Sequence, residues 1–417
     1  MKAGYKQTEV GVIPEEWEVC QLGELLQGSR SVRYGVVQPG KFEPTGCFML
    51  RSQDYSKGWA GPEGMHKITL QLENQYKNAR IRREDLVMTV VGAGIGQVVV
   101  VPDWVDGTIL SRSTARVAID EEKAASRFVK AFLEGPIGKR QILDCQKEGA
   151  QPVVSCPDLA KFFVANPPLP EQRAIAAALS DVDGLLGALD RLIAKKRDLK
   201  QAAMQQLLTG QTRLPGFKGE WVVKRLGEVA TFYKGKGLPK SAISESGAEP
   251  CIHYGELFTR YPETIGEILS RTDTSEGVFR SVANDVLMPT SDVTPRGLAK
   301  ASCVRVNGVI LGGDILVIRS DTKVIHGSFL SLLIRYEETQ VLQLVTGSTV
   351  YHLYGSDMKN FTFSVPPLSE QTAIASVLSE MDAELAGLEQ RREKTRALKQ
   401  GMMQELLTGR TRLPDKL

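Results

Sequence analysis

Two long stretches of the chain carry hydrophobic residues at helical spacing. Apolar side chains recur every three or four positions over residues 175–207 and again over residues 374–406. This period is typical of an α-helix with one apolar face, so the pattern predicts two long helices. If the first helix runs from Pro170 to Leu208, it would be about 58 Å long at a rise of about 1.5 Å per residue.

The ends of both stretches carry matching helix signals. Pro170 suits a first helical turn, and Ser369 is an N-cap candidate at the same place in the second stretch. Gly210 and Gly409 fit C-terminal caps. Two such helices in one chain predict an antiparallel coiled coil, and the alternative is that each helix is buried in the core of a separate domain.

The helices belong to an internal repeat. Residues 166–217 align with residues 365–416 without a gap, and 28 of the 52 aligned positions are identical. Weaker matches precede each copy. Trp17 corresponds to Trp221, and Asp85 corresponds to Asp285, each within a similar short motif. The layout predicts a pseudo-twofold tandem repeat in which the copies agree in the helices and diverge between them.

The repeat also divides the chain into four segments. We expect variable domains at residues 1–165 and 216–364, and helical regions at residues 166–215 and 365–417. The variable domains mix strand-like and helix-like runs without the regular βαβ alternation of a Rossmann sheet, so their predicted fold class is α+β, of mixed α/β type. The strand-like runs are VMTVV (87–91), QVVVV (97–101) and DILVIR (314–319), and the helix-like runs are SRFVKAFLEG (126–135) and GSFLSLLIRY (327–336).

Composition narrows the class of protein without fixing a function. The net charge is +3, spread thinly over the four segments, so no segment shows the basic excess of a general phosphate-binding surface. Six scattered cysteines without a CxxC pair indicate a reduced, cytoplasmic protein. The sequence contains no run of eighteen apolar residues and no secretory h-region at its start, so we expect no membrane partner.

One motif suggests catalysis and fails on inspection. The segment NPPL (166–169) holds three of the four letters that adenine-N6 methyltransferases use to clamp the target base. An aromatic side chain should follow the prolines to stack on the extruded adenine, but Leu169 stands there. The second copy replaces Asn166 by Val365 and keeps the flanking residues. The Pro-Pro pairs are better explained as stiff, extended lead-ins to the helices.

The sequence also gives no support for a cofactor-binding loop, a metal site or a phosphate-binding loop. The segment VVGAGIGQVVVV (90–101) continues into a β-branched run, which favours a hairpin or bulge over a cofactor loop that opens a helix. The four histidines show no metal-ligand spacing, and the sequence holds no GxxxxGK[ST]. We therefore expect no catalytic residue, no metal and no cofactor in this chain.

The repeated motifs resemble those of a known family. PPL-[PS]-EQ leads a long helix that ends in LLTG-x-TRLP, twice and about 200 residues apart. This arrangement resembles the specificity subunit of type I restriction-modification systems over essentially the whole chain. The resemblance implies a non-catalytic reader in which each variable block is a target-recognition domain for one half of a bipartite, asymmetric DNA site.

The resemblance also implies partners. The long helices would space the two domains and dock two modification (methyltransferase) subunits, which would carry S-adenosylmethionine. Two restriction/translocase subunits would complete the complex. The residues expected to form the coiled coil and the partner-binding surface are Pro168, Glu171, Gln172, Ile175, Leu179, Leu186, Leu189, Ile193, Leu207, Pro367, Glu370, Gln371, Ile374, Leu378, Leu385, Leu388 and Leu406.

DNA-binding residues are expected in four loop-like segments: RYGVVQPG (33–40), LRSQDYSKG (50–58), KGKGLPKSAI (234–243) and CIHYGELFT (251–259). Base reading needs cationic and amide side chains on groove-facing loops. The candidates chosen on that ground are Arg33, Tyr34, Gln38, Arg51, Gln53, Lys57, Lys234, Lys236, Lys240, His253, Tyr254 and Arg296. Trp17 and Trp221 are expected to be core anchors and not base-stacking platforms.

Two other functions stay open at this stage. One is a self-contained adenine methyltransferase, which would bind S-adenosylmethionine itself. The other is a scaffold that bridges protein partners without reading DNA, which the near-neutral charge favours.

Overall fold

The computed structural model describes residues 3–59, 61–92, 94–145 and 153–413. The chain divides into two compact units. Unit 1 comprises Met1–Asp190 and Arg391–Leu417, and unit 2 comprises Arg191–Gln390. The segment boundaries expected from the sequence lie at the starts of the long helices, whereas the compact units divide both helices near their middles.

Unit 1 mixes short strands and helices around one variable block. Its strands are β1 (Tyr5–Thr8), β2 (Gly11–Pro14), β3 (Glu18–Gln21), β4 (Arg33–Tyr34), β5 (Cys47–Leu50), β6 (His66–Ile68), β7 (Leu86–Thr89), β8 (Val98–Val100), β9 (Ile109–Leu110), β10 (Thr114–Val117) and β11 (Phe163–Asn166). Its helices are α1 (Leu70–Gln75), α2 (Ser126–Glu134), α3 (Pro136–Cys145), α4 (Cys156–Ala160) and the first part of α5 (Leu169–Leu208).

The strands of unit 1 form two main sheets. One has the strand order β4-β10-β7-β8, and the other has the order β6-β5-β9. The antiparallel pairing of β7 with β8 confirms the hairpin, which was one of the two interpretations of residues 90–101. A hydrophobic core lies between α2, β7 and the long helices, and it includes Phe128, Phe132, Leu86, Met88, Ile175, Leu179, Met403, Leu406 and Trp17. Trp17 is fully buried, as expected for a core anchor.

Unit 2 repeats this arrangement around the second variable block. Its strands are β12 (Val222–Arg225), β13 (Ala230–Lys234), β14 (Glu249–Ile252), β15 (Thr264–Ile265), β16 (Ser270–Thr272), β17 (Phe279–Arg280), β18 (Val286–Pro289), β19 (Ser291–Asp292), β20 (Ser302–Val304), β21 (Ile310–Leu311), β22 (Ile315–Ser320), β23 (Tyr351–His352) and β24 (Thr362–Val365). Its helices are α6 (Leu226–Val229), α7 (Glu256–Thr259), α8 (Gly327–Tyr336), α9 (Glu338–Leu344), α10 (Gly355–Met358) and the first part of α11 (Leu368–Leu406).

The sheets of unit 2 correspond to those of unit 1 with additions. The larger sheet has the order β13-β22-β18-β20-β15, and the second has the order β16-β14-β21-β17. The strand β13 pairs with β22 in the way that β4 pairs with β10. In their sheets, β4 and β13 are edge strands. The mixture of helix and strand agrees with the α+β expectation, and α2, α8, β7, β8 and β22 lie within a residue or two of the runs that predicted them.

The two long helices are single, uninterrupted elements of 40 and 39 residues. Gly210 and Gly409 adopt left-handed conformations, with φ of +71° and +67°, just after the helices end. The expectation of an N-cap at Ser369 is wrong, because α11 already begins at Leu368. There the carbonyl of Pro367 accepts hydrogen bonds from the backbone N–H groups of Glu370 and Gln371.

Within each unit, segments of the two helices run antiparallel. In unit 1, Asp183 pairs with Lys399 at 2.6 Å and Asp190 pairs with Arg392 at 3.3 Å. In unit 2, Lys196 pairs with Glu384 at 2.7 Å, and Lys200 pairs with Asp382. The partner's number falls as the number along α5 rises. Cationic residues such as Lys196 and Arg392, which interrupt the apolar stripe in the sequence, therefore form ion pairs between the helices.

An ion pair between a buried carboxylate and an arginine, here called the clasp, closes each unit at the start of a long helix. In unit 1, the guanidinium of Arg412 donates two hydrogen bonds of 2.6 Å to the carboxylate of Glu171 and lies over the ring of Trp17. Trp17 Nε1 donates to the same carboxylate at 3.1 Å. The hydrogen bonds with Glu171 raise the pKa of Arg412. The repeated motifs EQ and TRLP thus meet in space.

Unit 2 contains the corresponding clasp. Arg213 donates to both oxygens of Glu370, a carboxylate with no exposed surface, and its guanidinium lies over the ring of Trp221. A buried carboxylate is stable when it is paired and fully hydrogen-bonded. Each clasp joins the start of one long helix to the segment that follows the end of the other.

The glutamine next to each clasp residue anchors the helix start. Gln172 accepts a hydrogen bond from the backbone N–H of Ala125 and donates to the carbonyl of Pro167 and to Asn166 Oδ1. Gln371 accepts from the N–H of His326 in the equivalent way. Asn166 therefore positions a helix, which accounts for its place in the segment NPPL.

We predict that breaking a clasp lowers the stability of the fold. Arg213→Ala should lower the free energy of unfolding by about 3 kcal/mol, because it leaves the carboxylate of Glu370 buried without its partner. Urea denaturation followed by circular dichroism measures this change.

The matched control is Arg410→Ala, which removes an exposed ion pair to Glu405 at 3.7 Å and should cost less than about 1 kcal/mol. Equal destabilisation by the two substitutions would contradict the role assigned to the clasp.

Candidate nucleic-acid interface

In unit 1, the two candidate segments 33–40 and 50–58 lie next to the end of the same strand, β9. The strands β5 and β9 are parallel, with Leu50 opposite Leu110. The backbone N–H of Val36 donates to the carbonyl of Leu110 at 2.7 Å, and the N–H of Ser111 donates to the carbonyl of Leu50 at 2.9 Å. The loops after β4 and after β5 therefore flank the end of β9 from either side.

A glycine permits this close approach in both units. A Cβ at Gly35 would lie 1.6 Å from the carbonyl oxygen of Leu110, and a Cβ at Gly235 would lie 2.0 Å from that of Gly312. Any other residue at either position would push the two backbone segments apart. The two loops can therefore present their side chains on one surface.

The loops of unit 1 expose most of the candidate residues. Arg33, Tyr34, Gln38, Gln53 and Lys57 are all exposed. Arg51 differs, because its guanidinium binds Asp54 at 2.9 Å and the carbonyl of Gly64 at 3.0 Å within the chain. Arg51 thus stabilises the turn that presents Gln53.

Unit 2 builds the same convergence from different residues. The strands β14 and β21 are parallel, with Ile252 opposite Leu311. The N–H of Lys236 donates to the carbonyl of Leu311, and the N–H of Gly312 donates to the carbonyl of Ile252, both at 2.9 Å. The loops after β13 and β14 therefore flank the end of β21.

The candidate residues of unit 2 lie mainly on these two loops. Lys234, Lys236 and Lys240 are exposed, and Lys234 lies 3.4 Å from Asp314. Burial lowers the pKa of His253, and the charge of Lys240 acts in the same direction against that of Glu256. The imidazole is therefore neutral at neutral pH, with Nδ1 accepting the N–H of Gly255 at 3.2 Å. In a neutral imidazole whose Nδ1 accepts a hydrogen bond, Nε2 carries the proton and is the donor.

Tyr254 and Arg296 have other surroundings. Tyr254 is half-buried and packs edge-on against Phe258. Arg296 lies in a short 3₁₀ helix, Pro295–Ala299, and pairs with Glu338 of α9 at 2.9 Å. The neighbouring Gly297 lies against Phe258 of the segment 251–259, so Arg296 is beside that segment and not on it.

The sequence reasoning missed one exposed cation at the convergence in unit 1. Arg112 directly follows the end of β9, and its backbone N–H donates to the carbonyl of Val36 at 2.9 Å. Its only sequence signal is a cationic residue after a short apolar run, which is too weak to single it out.

The helix residues expected to bind partners divide into two groups. Glu171, Gln172, Glu370 and Gln371 are buried and hydrogen-bonded within the chain, so they form internal contacts instead of a docking face. Pro168 and Pro367 are exposed, and Leu186, Leu385 and Leu388 are half-buried. The other apolar members are buried, namely Ile175, Leu179, Leu189, Ile193, Leu207, Ile374, Leu378 and Leu406.

Three leucines that the helix analysis did not select as partner contacts form an exposed row on α5. Leu185, Leu192 and Leu199 are 41%, 39% and 47% exposed, and they recur every seven residues. Leu398, at the position of α11 that repeats Leu199, is 60% exposed. Residues one heptad apart lie on one side of a helix.

Two further properties concern the described residues alone. None of their helices is long and apolar enough to cross a membrane. Over the same residues, no group of three or more histidine, cysteine, aspartate or glutamate side chains is arranged to hold a metal ion.

Comparison with known proteins identifies related sequences. Residues 218–396 match a family model described as "Type I restriction modification DNA specificity domain". The chain is 26% identical to the EcoBI specificity subunit of Escherichia coli over 253 residues, which are 60% of this chain and 51% of that subunit. It is 22% identical to the putative MjaX specificity subunit of Methanocaldococcus jannaschii, over 98% of this chain and 97% of the relative.

Solved structures share the fold over the whole chain. The S subunit of a type I restriction-modification system from M. genitalium superposes with a TM-score of 0.61 at 14% identity and covers 100% of both chains. A chain from a structure of an assembled type I system gives a TM-score of 0.57 at 18% identity, covering 96% of this chain and 99% of that one.

The matched domain, the full-length relatives and the shared fold agree with the motifs repeated in the sequence. Residues 218–396 thus match the DNA specificity domain of type I restriction-modification systems, and the chain as a whole is similar to specificity subunits of those systems.

Proposed function

We propose that this chain recognises a bipartite, asymmetric DNA site and directs partner subunits to it. The observation that carries the proposal is the convergence of two loops at the end of a parallel strand pair in each unit. The convergence in unit 1 presents cationic and amide side chains, and the convergence in unit 2 presents lysines and a histidine. Cationic and amide side chains are groups that read base edges in the major groove. Because the loop sequences differ between the units, the two half-sites should differ as well.

Direct reading is assigned to the exposed loop side chains. In unit 1 these are Arg33, Gln38, Gln53, Lys57 and the additional Arg112. In unit 2 they are Lys234, Lys236 and Lys240, joined by the half-buried His253, whose neutral ring would donate a hydrogen bond from Nε2. Because the net charge of the chain is only +3, we assign most contacts to DNA phosphates to the partner subunits.

We propose that the two long helices form an antiparallel coiled coil that sets the distance between the half-sites. The ion pairs between α5 and α11 support this pairing in each unit. Half-site separation on DNA mirrors the spacing of the protein elements that read it. The length of the helices would therefore fix the gap that is not read.

The same helices offer a surface for partner subunits. The exposed row of Leu185, Leu192 and Leu199 is an apolar stripe at heptad spacing, as a docking helix requires. We propose that two modification subunits bind the helical region and supply S-adenosylmethionine and the adenine-binding clamp. Two restriction/translocase subunits would complete the assembly.

We predict that Lys236→Ala weakens selective DNA binding. In complex with the modification subunits, the variant should lose about 1 to 3 kcal/mol of discrimination against a changed second half-site. Gel shifts that compare the intact site with sites altered in either half measure the effect.

The control is Lys323→Ala, an exposed lysine of unit 2 that lies outside both reading loops and should leave discrimination unchanged. If the wild-type complex shows no preference for any bipartite site, the chain acts as a protein-bridging scaffold and the proposal fails.

A matched insertion tests the spacer. Seven residues added to both helices, after Ile193 in α5 and after Leu388 in α11, should lengthen the unread gap by about three base pairs. The reason is that a heptad adds about 10.5 Å, at about 3.4 Å per base pair. Sequencing of the N6-methyladenine positions reads the gap directly. An unchanged gap would show that the helices do not set it.

Substitution of Asn166 separates the reader from a self-contained methyltransferase. We expect Asn166→Ala to lower the free energy of unfolding by about 1 kcal/mol, because it removes the hydrogen bond to Gln172, and to leave adenine methylation by the complex intact. Loss of methylation in a folded variant would favour the enzyme. Calorimetric binding of S-adenosylmethionine to the isolated chain would do the same.

A further inference from the structure

A cavity of about 390 Å³ lies in unit 1 beside the edge strand β4. Its lining includes Arg33, Tyr34, Gln75, Tyr76 and Asn78, and Cys156 at the start of α4 closes one side. A volume of this size is within the range of sites that hold a small organic ligand. Arg33 and Tyr34 open the segment 33–40, so the cavity shares these two residues with the proposed DNA-reading surface.

The electrostatics of this cavity favour an anion. No carboxylate is among the described residues that line it. Arg33 is exposed at its rim, and Arg116 lies behind its wall, where it donates hydrogen bonds to the carbonyls of Asn78 and Arg80. Burial, together with the charge of Arg30, lowers the pKa of Arg116 to about 10, so its guanidinium stays charged at neutral pH. Arg33 thus lines the cavity, and Arg116 contacts the backbone of the lining residue Asn78.

The remaining lining suits a planar, polar ring. Tyr34 is 49% exposed, Tyr76 is half-buried, and the amides of Gln75 and Asn78 are exposed. Tyrosine rings stack on nucleobases, and amide side chains donate to and accept from base edges. Arg33 can pair with a phosphate, the two tyrosines can stack on a base, and the two amides can hydrogen-bond to the edge of that base. A nucleotide contains all three of these groups.

Unit 2 has a cavity of about 730 Å³ in the corresponding place. It lies beside β13, the edge strand that corresponds to β4, and Gly355 at the start of α10 takes the place of Cys156. Tyr233 and Tyr354 are 40% and 52% exposed there, and Lys234 and Lys359 supply positive charge. Among the described residues, this lining again contains no carboxylate. The two cavities share two tyrosines, a cationic rim and their position in the fold, although their sequences differ.

The shape of the cavities decides which part of DNA they fit. Side chains that read paired bases must project into a groove, as the loops described above can do. A concave cavity instead receives a group that projects from the duplex. A nucleotide turned out of the base stack has the phosphate, ring and polar edge that this lining matches.

We propose that each cavity binds one nucleotide that has left the base stack of its half-site. The inference rests on the proposed function, because it takes DNA as the ligand. Tyr34 and Tyr76 would stack on the base in unit 1, and Arg33 would neutralise the adjacent phosphate instead of contacting a base edge. In unit 2, Tyr233 and Tyr354 would stack on the base, with Lys359 near the phosphate and Lys234 there instead of at a base edge.

Photocrosslinking tests the contact. The complex of this chain with its modification subunits is bound to duplexes that carry 5-iododeoxyuridine at successive positions of the half-site read by unit 1. Iodouracil crosslinks efficiently to aromatic rings that it touches. We expect one position to crosslink to Tyr34 or Tyr76, as identified by mass spectrometry. Crosslinks that map only to residues outside the cavity, such as Gln38, Gln53 and Lys57, or only to the modification subunits would overturn the proposal.

Affinity gives a second, independent readout. A mismatch lowers the cost of turning a nucleotide out, so a mismatch at the crosslinking position should tighten binding of the wild-type complex. Tyr34→Ala should weaken binding to the intact site by about five- to 150-fold and abolish the tightening, because one base–aromatic stack is lost. Arg83→Ala, an exposed cation of unit 1 outside the cavity, serves as the control.

The outcomes separate this inference from the proposed function. Selective binding by the wild-type complex, with the same mismatch effect in Tyr34→Ala as in Arg83→Ala, would overturn the cavity assignment and leave the reader intact. Absence of selective binding by the wild type would overturn both. Circular dichroism of Tyr34→Ala, whose side chain is half exposed, checks that the variant is folded.

Discussion

The pairing of a buried carboxylate with an arginine at the start of each long helix holds each unit together. Glu171 and Glu370 are removed from water, so each needs a partner that neutralises its charge and fills its hydrogen-bonding capacity. Arg412 and Arg213 meet that need, and an indole ring beneath each guanidinium shields the pair. A unit is therefore complete only when it contains the start of one repeat and the end of the other.

This constraint explains why the repeated and the variable parts of the chain behave differently. The repeated residues form an internal framework of clasp, glutamine anchor and apolar helix face, so their neighbours restrict them. The loops after β4, β5, β13 and β14 are held at the strand ends by backbone hydrogen bonds and a close glycine contact, while side chains such as Gln38, Lys57 and Lys236 are exposed. These exposed side chains can change without disturbing the core, as the proposed reading of different half-sites requires.

Much of the framework was predictable because it depends on local pattern. The helical period over residues 175–207 and 374–406 and the β-branched run at 97–101 each correspond to an element of the structure. The N-cap expected at Ser369 was wrong because the carbonyl of Pro367 begins the helix two residues earlier. The clasp was missed because Glu171 and Arg412 are 241 residues apart, and no periodicity reports such a pair. The cavity residues Tyr76 and Asn78 were missed for the same reason, since only folding brings them beside Arg33.

The central claim is that one chain carries two different readers on one repeated frame. A genome-wide map of N6-methyladenine, compared between cells with and without this chain, tests it most directly. The account predicts that one asymmetric motif, with two unlike halves and a fixed gap, loses its methylation when the chain is absent. An unchanged methylation map, or the loss of a motif with two identical halves or with a single continuous half, would contradict it.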